Sequence, residues 1–123
     1  LQEGLLTDVA GGIYDFYSDM KQANKSDDVI IFVFSEFGRR VRDNGNGTDH
    51  GSGGVAFVIG DAVEGGNYGE YPSLKSKDLL EGDLRFNLDF RSLYTEIMED
   101  WLEVDARPVV KGEYEKVGFL GIK

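Results

Sequence analysis

The chain has 123 residues and a formal net charge of −10 at pH 7, with a sequence pI near 4.4. Its acidity disfavours nucleic acid and anionic membrane surfaces as partners, because both repel a strongly acidic protein. The absence of cysteine excludes disulfides and thiolate metal sites. No apolar run reaches the roughly 18 residues that a membrane span requires. The length predicts one domain that is large enough to bury a hydrophobic core.

Apolar side chains recur at helical spacing from Leu5 to Met20, with acidic residues elsewhere on the helical wheel. The pattern predicts an amphipathic helix packed on a sheet. Gly11 and Gly12 lie in its middle and cost about 1 kcal/mol each relative to alanine, so they indicate either a close approach to a neighbour or a break. Residues 24–28 then predict a turn into the first strand.

Residues 29–34 form an unbroken apolar run after two aspartates, which predicts a strand covered on both faces, as in a parallel sheet. Residues 55–59 repeat that pattern. The roughly twenty residues between the two runs are more than a hairpin needs, and structureless connections of that length are usually functional or disordered. We predict a functional loop, since ligands of open α/β sheets lie beyond the carboxyl ends of the strands.

The C-terminal half begins with a glycine- and tyrosine-rich segment, residues 64–72, which predicts an ordered surface loop. Residues 74–81 predict a helical turn, and the alternation in residues 84–88 predicts a short strand.

A second helix is predicted to begin after an N-cap at Asp89 and to end near Leu102. Its predicted buried stripe consists of Phe90, Leu93, Tyr94, Ile97, Trp101 and Leu102, and its predicted outward side chains are Glu96, Glu99 and Asp100. Pro108 forbids further continuation. Residues 109–123 are predicted to be extended, with Phe119 and Leu120 packed onto the body. The expected fold class is α/β, a layered sheet with flanking helices in a single domain, residues 1–123.

His50 is the only histidine and lies in a Gly-Thr-Asp-His-Gly block, residues 47–51. A neutral imidazole binds zinc or similar ions, and the flanking glycines permit a close approach of the backbone. The alternative is a solvated or hydrogen-bonded side chain. Asp49 either binds the same metal, orients the imidazole, or bonds to turn amides.

Glu36 leaves the first predicted strand at its carboxyl end, so its carboxylate must find a cation or a partner. A salt bridge to Arg39, Arg40 or Arg42 is the structural alternative. These three arginines either bind a phosphate or sulfate through bidentate hydrogen bonds or neutralise the charge of nearby carboxylates. Residues 43–49 hint at calcium, but their spacing does not match an EF-hand loop.

Two sequence blocks, Ser-Glu-Phe-Gly-Arg at residues 35–39 and Gly-Thr-Asp-His-Gly at residues 47–51, resemble the C-terminal part of the domain-of-unknown-function family 1501, and the likeness extends over residues 28–120. The resemblance implies membership of the alkaline phosphatase and sulfatase superfamily, with a layered α/β fold and a metal site at the carboxyl ends of the strands. It also implies a bacterial protein in a periplasmic or extracytoplasmic setting, often exported through a twin-arginine signal.

The resemblance places Glu36 where the superfamily has an aspartate ligand and His50 where it has a histidine ligand. Phe37 departs from the pattern, because metal-binding members have a histidine there. The nucleophile and remaining ligands of the superfamily lie upstream, in a part that this chain does not contain. The chain also opens on Leu1 rather than Met, so we expect a fragment of a larger alkaline phosphatase-like domain.

The sequence therefore predicts a segment of a metal-dependent phosphate or sulfate ester hydrolase-like protein that is not catalytic alone. Glu36, Asp49 and His50 are the expected ligands of a divalent metal, zinc or similar. Arg39 and Arg40 are the expected contacts of an anionic small-molecule ester. The upstream part of the same protein is the expected partner.

The alternative is a noncatalytic binding or assembly module whose metal site has decayed. Phe37 supports this alternative, as do Tyr68 and Tyr71, which suit contacts with protein or glycan. A third hypothesis is a calcium-stabilised extracellular domain.

Overall fold

A computed structural model describes residues 2–121 and shows a mixed α/β architecture, which confirms the general fold class. The helices are α1 (Gln2–Gln22), α2 (Phe90–Glu96) and α3 (Arg107–Val110), and the strands are β1 (Ile30–Val33), β2 (Gly38–Asp43), β3 (Thr48–Gly51) and β4 (Phe57–Gly60). Short 3-10 helices span Ser26–Asp28 and Ser76–Asp78, and a π-helix, Ile97–Trp101, continues α2. None of the helices in the described part has the length and apolar character that crossing a membrane requires.

The two apolar strands pair antiparallel, in a register that runs from Ile30 opposite Gly60 to Val33 opposite Phe57. The expectation of a parallel sheet is therefore wrong. A parallel pair needs a crossover that carries the chain back to the start of the first strand. Here the chain leaves β1 after Val33 and returns to that same end. Strand β4 therefore begins beside Val33 and runs antiparallel to β1.

The segment between these strands is a β-hairpin, which corrects the expectation of a structureless loop. Strands β2 and β3 pair antiparallel, with Arg39 opposite His50 and Asp43 opposite Thr48, and the register shifts between these pairs. Gly45 and Gly47 have φ of 93° and 141° at the turn, a backbone region that glycine adopts at little cost. The polar residues of this segment thus form the two largely exposed strands of the hairpin and the turn between them.

The buried core lies between α2, α3 and the C-terminal segment. Its apolar members are Ala106, Val110, Phe119 and Leu120. Phe119 and Leu120 are 2% and 8% exposed, which confirms that they pack onto the body. Val63 and Leu120 form a bridge, and Gly121 N–H donates to the Ala62 carbonyl at 2.9 Å, so this segment also reaches the residues that follow β4.

Glu96 is buried, only 1% exposed, although the helical pattern predicts that it faces outward. Its carboxylate accepts hydrogen bonds from the backbone N–H groups of Val117 at 2.7 Å, Gly118 at 2.6 Å and Leu120 at 2.8 Å. A buried charge is tolerated when several donors replace its water. The helical wheel misplaced this residue because it assigns every carboxylate to solvent.

The rest of the second helical region agrees in part with the prediction. Asp89 is the N-cap and accepts from the Arg91 N–H at 2.9 Å, as expected. The predicted buried stripe is only partly covered, since Phe90 and Leu102 are more than half exposed. Pro108 lies in the first turn of α3, where its missing N–H costs nothing, so it opens a new helix.

Helix α1 is continuous through Gly11 and Gly12, and neither glycine has a neighbour close to its missing Cβ. Both alternatives for these glycines are wrong. The helix does not pack on a sheet either, since none of its described side chains is buried. Its first apolar positions, Leu5, Leu6 and Val9, are more than half exposed, whereas Ile13, Tyr17 and Met20 are half-buried.

Four further predictions concern the loops and short elements of the C-terminal half. Residues 64–72 form a surface loop and residues 74–81 contain one helical turn, both as predicted. Residues 84–88 form no strand; the nearest pairings are the two isolated bridges of Asp83, with Arg40 and with Leu80. The segment predicted to be extended from residue 109 begins inside α3, and its last two residues lie outside the described part.

Asp61, directly after β4, holds the end of α1. Its carboxylate accepts from the Ser26 hydroxyl at 2.5 Å and from the Tyr17 hydroxyl, and it pairs with Lys21 at 3.3 Å. These hydrogen bonds and this charge stabilise the carboxylate and lower the pKa of Asp61 from 3.8 to about 2.

We predict that replacing Glu96 with alanine destabilises the fold by about 3 kcal/mol, because three backbone donors lose their acceptor in a buried site. Glu96→Gln retains one carbonyl acceptor and should cost less. The matched control is Glu99→Ala, which removes only a partly exposed ion pair with Lys116 and should cost under about 1 kcal/mol. Urea unfolding measures both, and equal losses would contradict the role assigned to Glu96.

We predict that the attachment of α1 weakens in acid. A carboxyl with a lowered folded pKa contributes stability that is present above its unfolded value and is lost as pH falls through about 2. The protection of the α1 amides relative to their intrinsic exchange rates should therefore fall between about pH 4 and pH 2. Asp61→Asn should show fast exchange already at pH 5. The control Asp19→Asn also removes one negative charge, but from α1 itself, and its amides should exchange as in the unmodified chain. Unchanged amide exchange in Asp61→Asn would contradict the prediction.

Candidate functional site

The aromatic ring of Phe37 brings the two sequence blocks together. It stacks on the imidazole of His50, with ring centroids 3.6 Å apart and planes inclined by 17°. The guanidinium of Arg39 lies 5.9 Å from the same ring, a cation–π distance. Arg39 and His50 are also cross-strand partners in the hairpin. We call these three residues the Phe37 cluster.

The local backbone explains how the cluster forms. Gly38 lies so close to Gly53 that a Cβ at residue 38 would overlap the Gly53 carbonyl, and Arg39 N–H donates to that carbonyl at 3.0 Å. A glycine is therefore required directly after Phe37. This contact fixes the chain as it passes from β1 into the hairpin, and so holds Phe37 against His50.

Glu36 lies at the carboxyl end of β1, as the sequence predicts, one residue before the ring that covers His50. Its side chain is exposed, and the Ser35 hydroxyl donates to its carboxylate at 3.5 Å. Within residues 2–121 no ion pair joins Glu36 to an arginine, so the expected structural alternative is not formed there.

Asp49 and His50 are neighbours on β3, and neighbouring strand residues project to opposite faces. The Asp49 carboxylate accepts from the Asn44 amide at 2.8 Å, across the hairpin turn. It also lines an open cleft together with Arg40 and Arg42. The structure thus brings His50 to Phe37 and brings Asp49 to the turn.

The two arginines predicted to contact substrate have different surroundings. Arg39 donates to the Thr48 carbonyl at 2.8 Å and has no carboxylate partner in the described part of the chain. Arg40 pairs with Asp83 at 2.8 Å and also donates to the Glu81 carbonyl. Sequence reasoning missed Asp83, because an aspartate in a glycine-flanked turn carries no signal of a partner more than forty residues away.

The donors present fit part of a metal site. A metal binds an imidazole nitrogen in the plane of the ring, so the stacked Phe37 covers a face and leaves that direction open. Glu36 and His50 then supply one oxygen and one nitrogen, whereas zinc takes three or four protein ligands. No group of three or more His, Asp or Glu in residues 2–121 is arranged to hold a metal ion.

The fold and the cluster describe a mixed α/β protein with a histidine and a glutamate near the end of its first strand. A family model described as a protein of unknown function, DUF1501, matches residues 1–111. The chain belongs to the DUF1501 family. A search of curated proteins found no match, and a search of solved structures found none either.

We predict that Phe37→Leu moves the His50 ring-proton resonances downfield in NMR spectra, because the stacked ring no longer shields them. The control Phe34→Leu removes an aromatic ring that stacks on Phe32 instead, and should leave the His50 signals in place. Equal His50 shifts in both variants would contradict the stacked geometry.

Proposed function

We propose that this chain is the C-terminal part of a metal-dependent phosphate or sulfate ester hydrolase-like protein of the alkaline phosphatase type. The proposal places the protein in a periplasmic or extracytoplasmic setting and assigns no turnover to the 123 residues alone. Membership of DUF1501 and the mixed α/β fold are compatible with it. Its more specific parts depend on the Glu36 and His50 positions.

The single observation that supports the proposal is the contact between Phe37 and His50. Because Phe37 follows Glu36 directly, this contact brings the backbone of Glu36 and the imidazole to one region at the carboxyl end of β1. A carboxylate on a strand end and an imidazole on a paired strand are held by regular elements, which suits a site that requires fixed geometry.

In the proposed site Glu36 and His50 are two of the metal ligands, and the others come from the upstream part of the protein. Asp49 accepts from Asn44 and shapes the turn that presents His50. A divalent cation held by these residues and by upstream ligands would supply Lewis-acid polarisation of the ester oxygen. Arg39, whose charge has no carboxylate partner in the described residues, binds the anionic group, while Arg40 holds Asp83 and the hairpin in place.

A second candidate function is a noncatalytic binding or assembly module. The observation that favours it is again Phe37, which is an aromatic ring where the superfamily has a metal-binding histidine, and which packs on the remaining histidine. Tyr71, which is 91% exposed, offers an aromatic contact for a partner. In this alternative the Phe37 cluster stabilises the hairpin and binds no metal.

Calorimetric titration of the full-length protein with zinc, manganese and calcium separates these functions. The hydrolase proposal predicts submicromolar binding of a transition metal that weakens at least about 10-fold in His50→Ala and in Glu36→Gln. The control Asp27→Asn removes an exposed carboxylate that lies outside the proposed site and should bind as the unmodified protein does.

No binding of any of the three metals would contradict the hydrolase proposal and favour the module. Tight calcium binding alone would contradict both and favour a calcium-stabilised domain. Under the hydrolase proposal, Phe37→His adds an imidazole beside Glu36 and should tighten transition-metal binding, whereas Phe37→Leu should not.

A further inference from the structure

A cleft with a volume of about 640 Å³ opens where α2 continues into the π-helix. Its walls come from these two helices, from the residues that lead into α3, and from residues 112–114. The volume lies within the range of small-molecule sites in proteins. A π-helical turn within a helix is frequently found at functional sites. We call this feature the C-terminal cleft, and none of its lining residues belongs to the Phe37 cluster.

The C-terminal cleft carries an excess of negative charge. Four carboxylates line it, those of Glu99, Glu103, Asp105 and Glu113. Lys116 pairs with Glu99 at 3.2 Å, and Arg107 pairs with Asp105 at 2.9 Å, so two of the four have a cationic partner. Glu103 and Glu113 have no ion-pair partner in residues 2–121.

The pKa of Arg107 shows that carboxylates from separate segments act on the same region. The Asp105 carboxylate raises this pKa most, since it accepts hydrogen bonds from the Arg107 guanidinium, and the charges of Glu113 and Glu99 raise it further. Nearby negative charges favour the protonated form of a basic group. The cleft therefore stabilises cations, and Glu103 and Glu113 are free to balance a second one.

Thr95 supplies an observation that is independent of charge. Its side chain lines the cleft and is only 5% exposed, and its hydroxyl has no hydrogen-bond partner in the described part of the chain. Buried hydroxyls are nearly always paired, and an unpaired one calls for a partner from outside the protein. A polar group bound in the cleft supplies that partner.

The lining favours an organic cation over a metal ion. No group of three or more His, Asp or Glu in residues 2–121 is arranged to hold a metal. Val104 and the half-buried ring of Tyr114 give the cleft apolar surface that suits an alkyl chain. The Tyr114 ring is held in place, because it packs on the backbone at Gly112 and lies 4.4 Å from the Arg91 guanidinium.

We propose that the C-terminal cleft binds a small aliphatic primary amine. The carboxylates of Glu103 and Glu113 balance its charge, and its ammonium N–H donates to the hydroxyl of Thr95. The inference goes beyond the proposed function, since it assigns a further ligand to residues that take no part in the proposed metal site and does not require that site to bind metal.

Calorimetric titration of the full-length protein with cadaverine, an aliphatic diamine, tests the inference. Pentanediol and glutarate are the controls, because they have the same carbon chain with uncharged and anionic ends. At physiological ionic strength, which screens the general attraction of an acidic protein for cations, we expect saturable binding of the diamine. Its affinity should exceed that of either control at least about 10-fold. Equal affinity for the diol, or no binding of the diamine, would overturn the inference.

Matched carboxylate variants assign the binding to the cleft. Glu103→Gln and Glu113→Gln should each weaken diamine binding about 3-fold, since each removes one exposed charge of the lining. The control Glu115→Gln removes an exposed carboxylate from the same segment that does not line the cleft, and should bind as the unmodified protein does. Equal losses in the three variants would show attraction to the acidic surface at large and overturn the inference.

Thr95→Val separates a ligand contact from a structural role. It keeps the shape of the side chain and removes the hydroxyl, so diamine binding should weaken at least about 10-fold. Without the diamine, the unfolding midpoint should not fall, because no protein atom satisfies this hydroxyl. A midpoint lowered by more than about 4 °C, or unchanged diamine affinity, would overturn the inference.

Two further outcomes identify other occupants. A Gly-Lys-Gly peptide with blocked ends that binds at least about 10-fold more tightly than the diamine would assign the cleft to a lysine side chain of a protein partner and overturn the inference. Calcium that displaces the diamine, and binds more weakly in Glu103→Gln, would assign it to a metal ion with the same consequence. Diamine binding in a protein that binds no transition metal would support the cleft and contradict the proposed function, so the two can fail separately.

Discussion

The structure depends on one buried carboxylate. Glu96 binds three backbone amides of residues 117–120 and so fixes the C-terminal segment against α2. The same segment bonds to the residues after β4, where Glu64 N–H donates to the Phe119 carbonyl at 2.8 Å. A buried carboxyl group that needs three donors specifies one arrangement of this segment, because any other arrangement leaves it unsatisfied. Helix α2 and the β1–β4 pair are thereby held in one assembly.

This constraint extends to the candidate site. The C-terminal segment bonds to the residues that follow β4, β4 pairs with β1, and β1 leads into Glu36 and Phe37. The hairpin then folds back because Gly38 and Gly53 approach closely, which places His50 on the Phe37 ring. The site is therefore built from two sequence blocks that regular backbone pairing brings together. In the proposed function this pairing orients the ligands before a metal arrives.

Sequence patterns predicted the elements whose signal is local. The apolar period of α1, the cap at Asp89 and the position of Glu36 after a strand are set by residues within a few positions of each other. The strand direction depends on where the chain returns, which no local pattern records. The helical pattern assigns Glu96 to the wrong side because its partners are backbone amides about twenty residues away, and backbone amides are the same in every sequence. The stacking of Phe37 on His50 depends on the hairpin register, which no local sequence pattern records.

The central claim of this account is that Glu36 and His50 converge on one metal ion in the full-length protein. Crystals of that protein grown with zinc, with diffraction measured at the zinc absorption edge, test it most directly. The account predicts an anomalous peak about 2.0–2.2 Å from both a His50 ring nitrogen and a Glu36 carboxylate oxygen. A peak bound to other residues, or no peak at this end of β1, would contradict it.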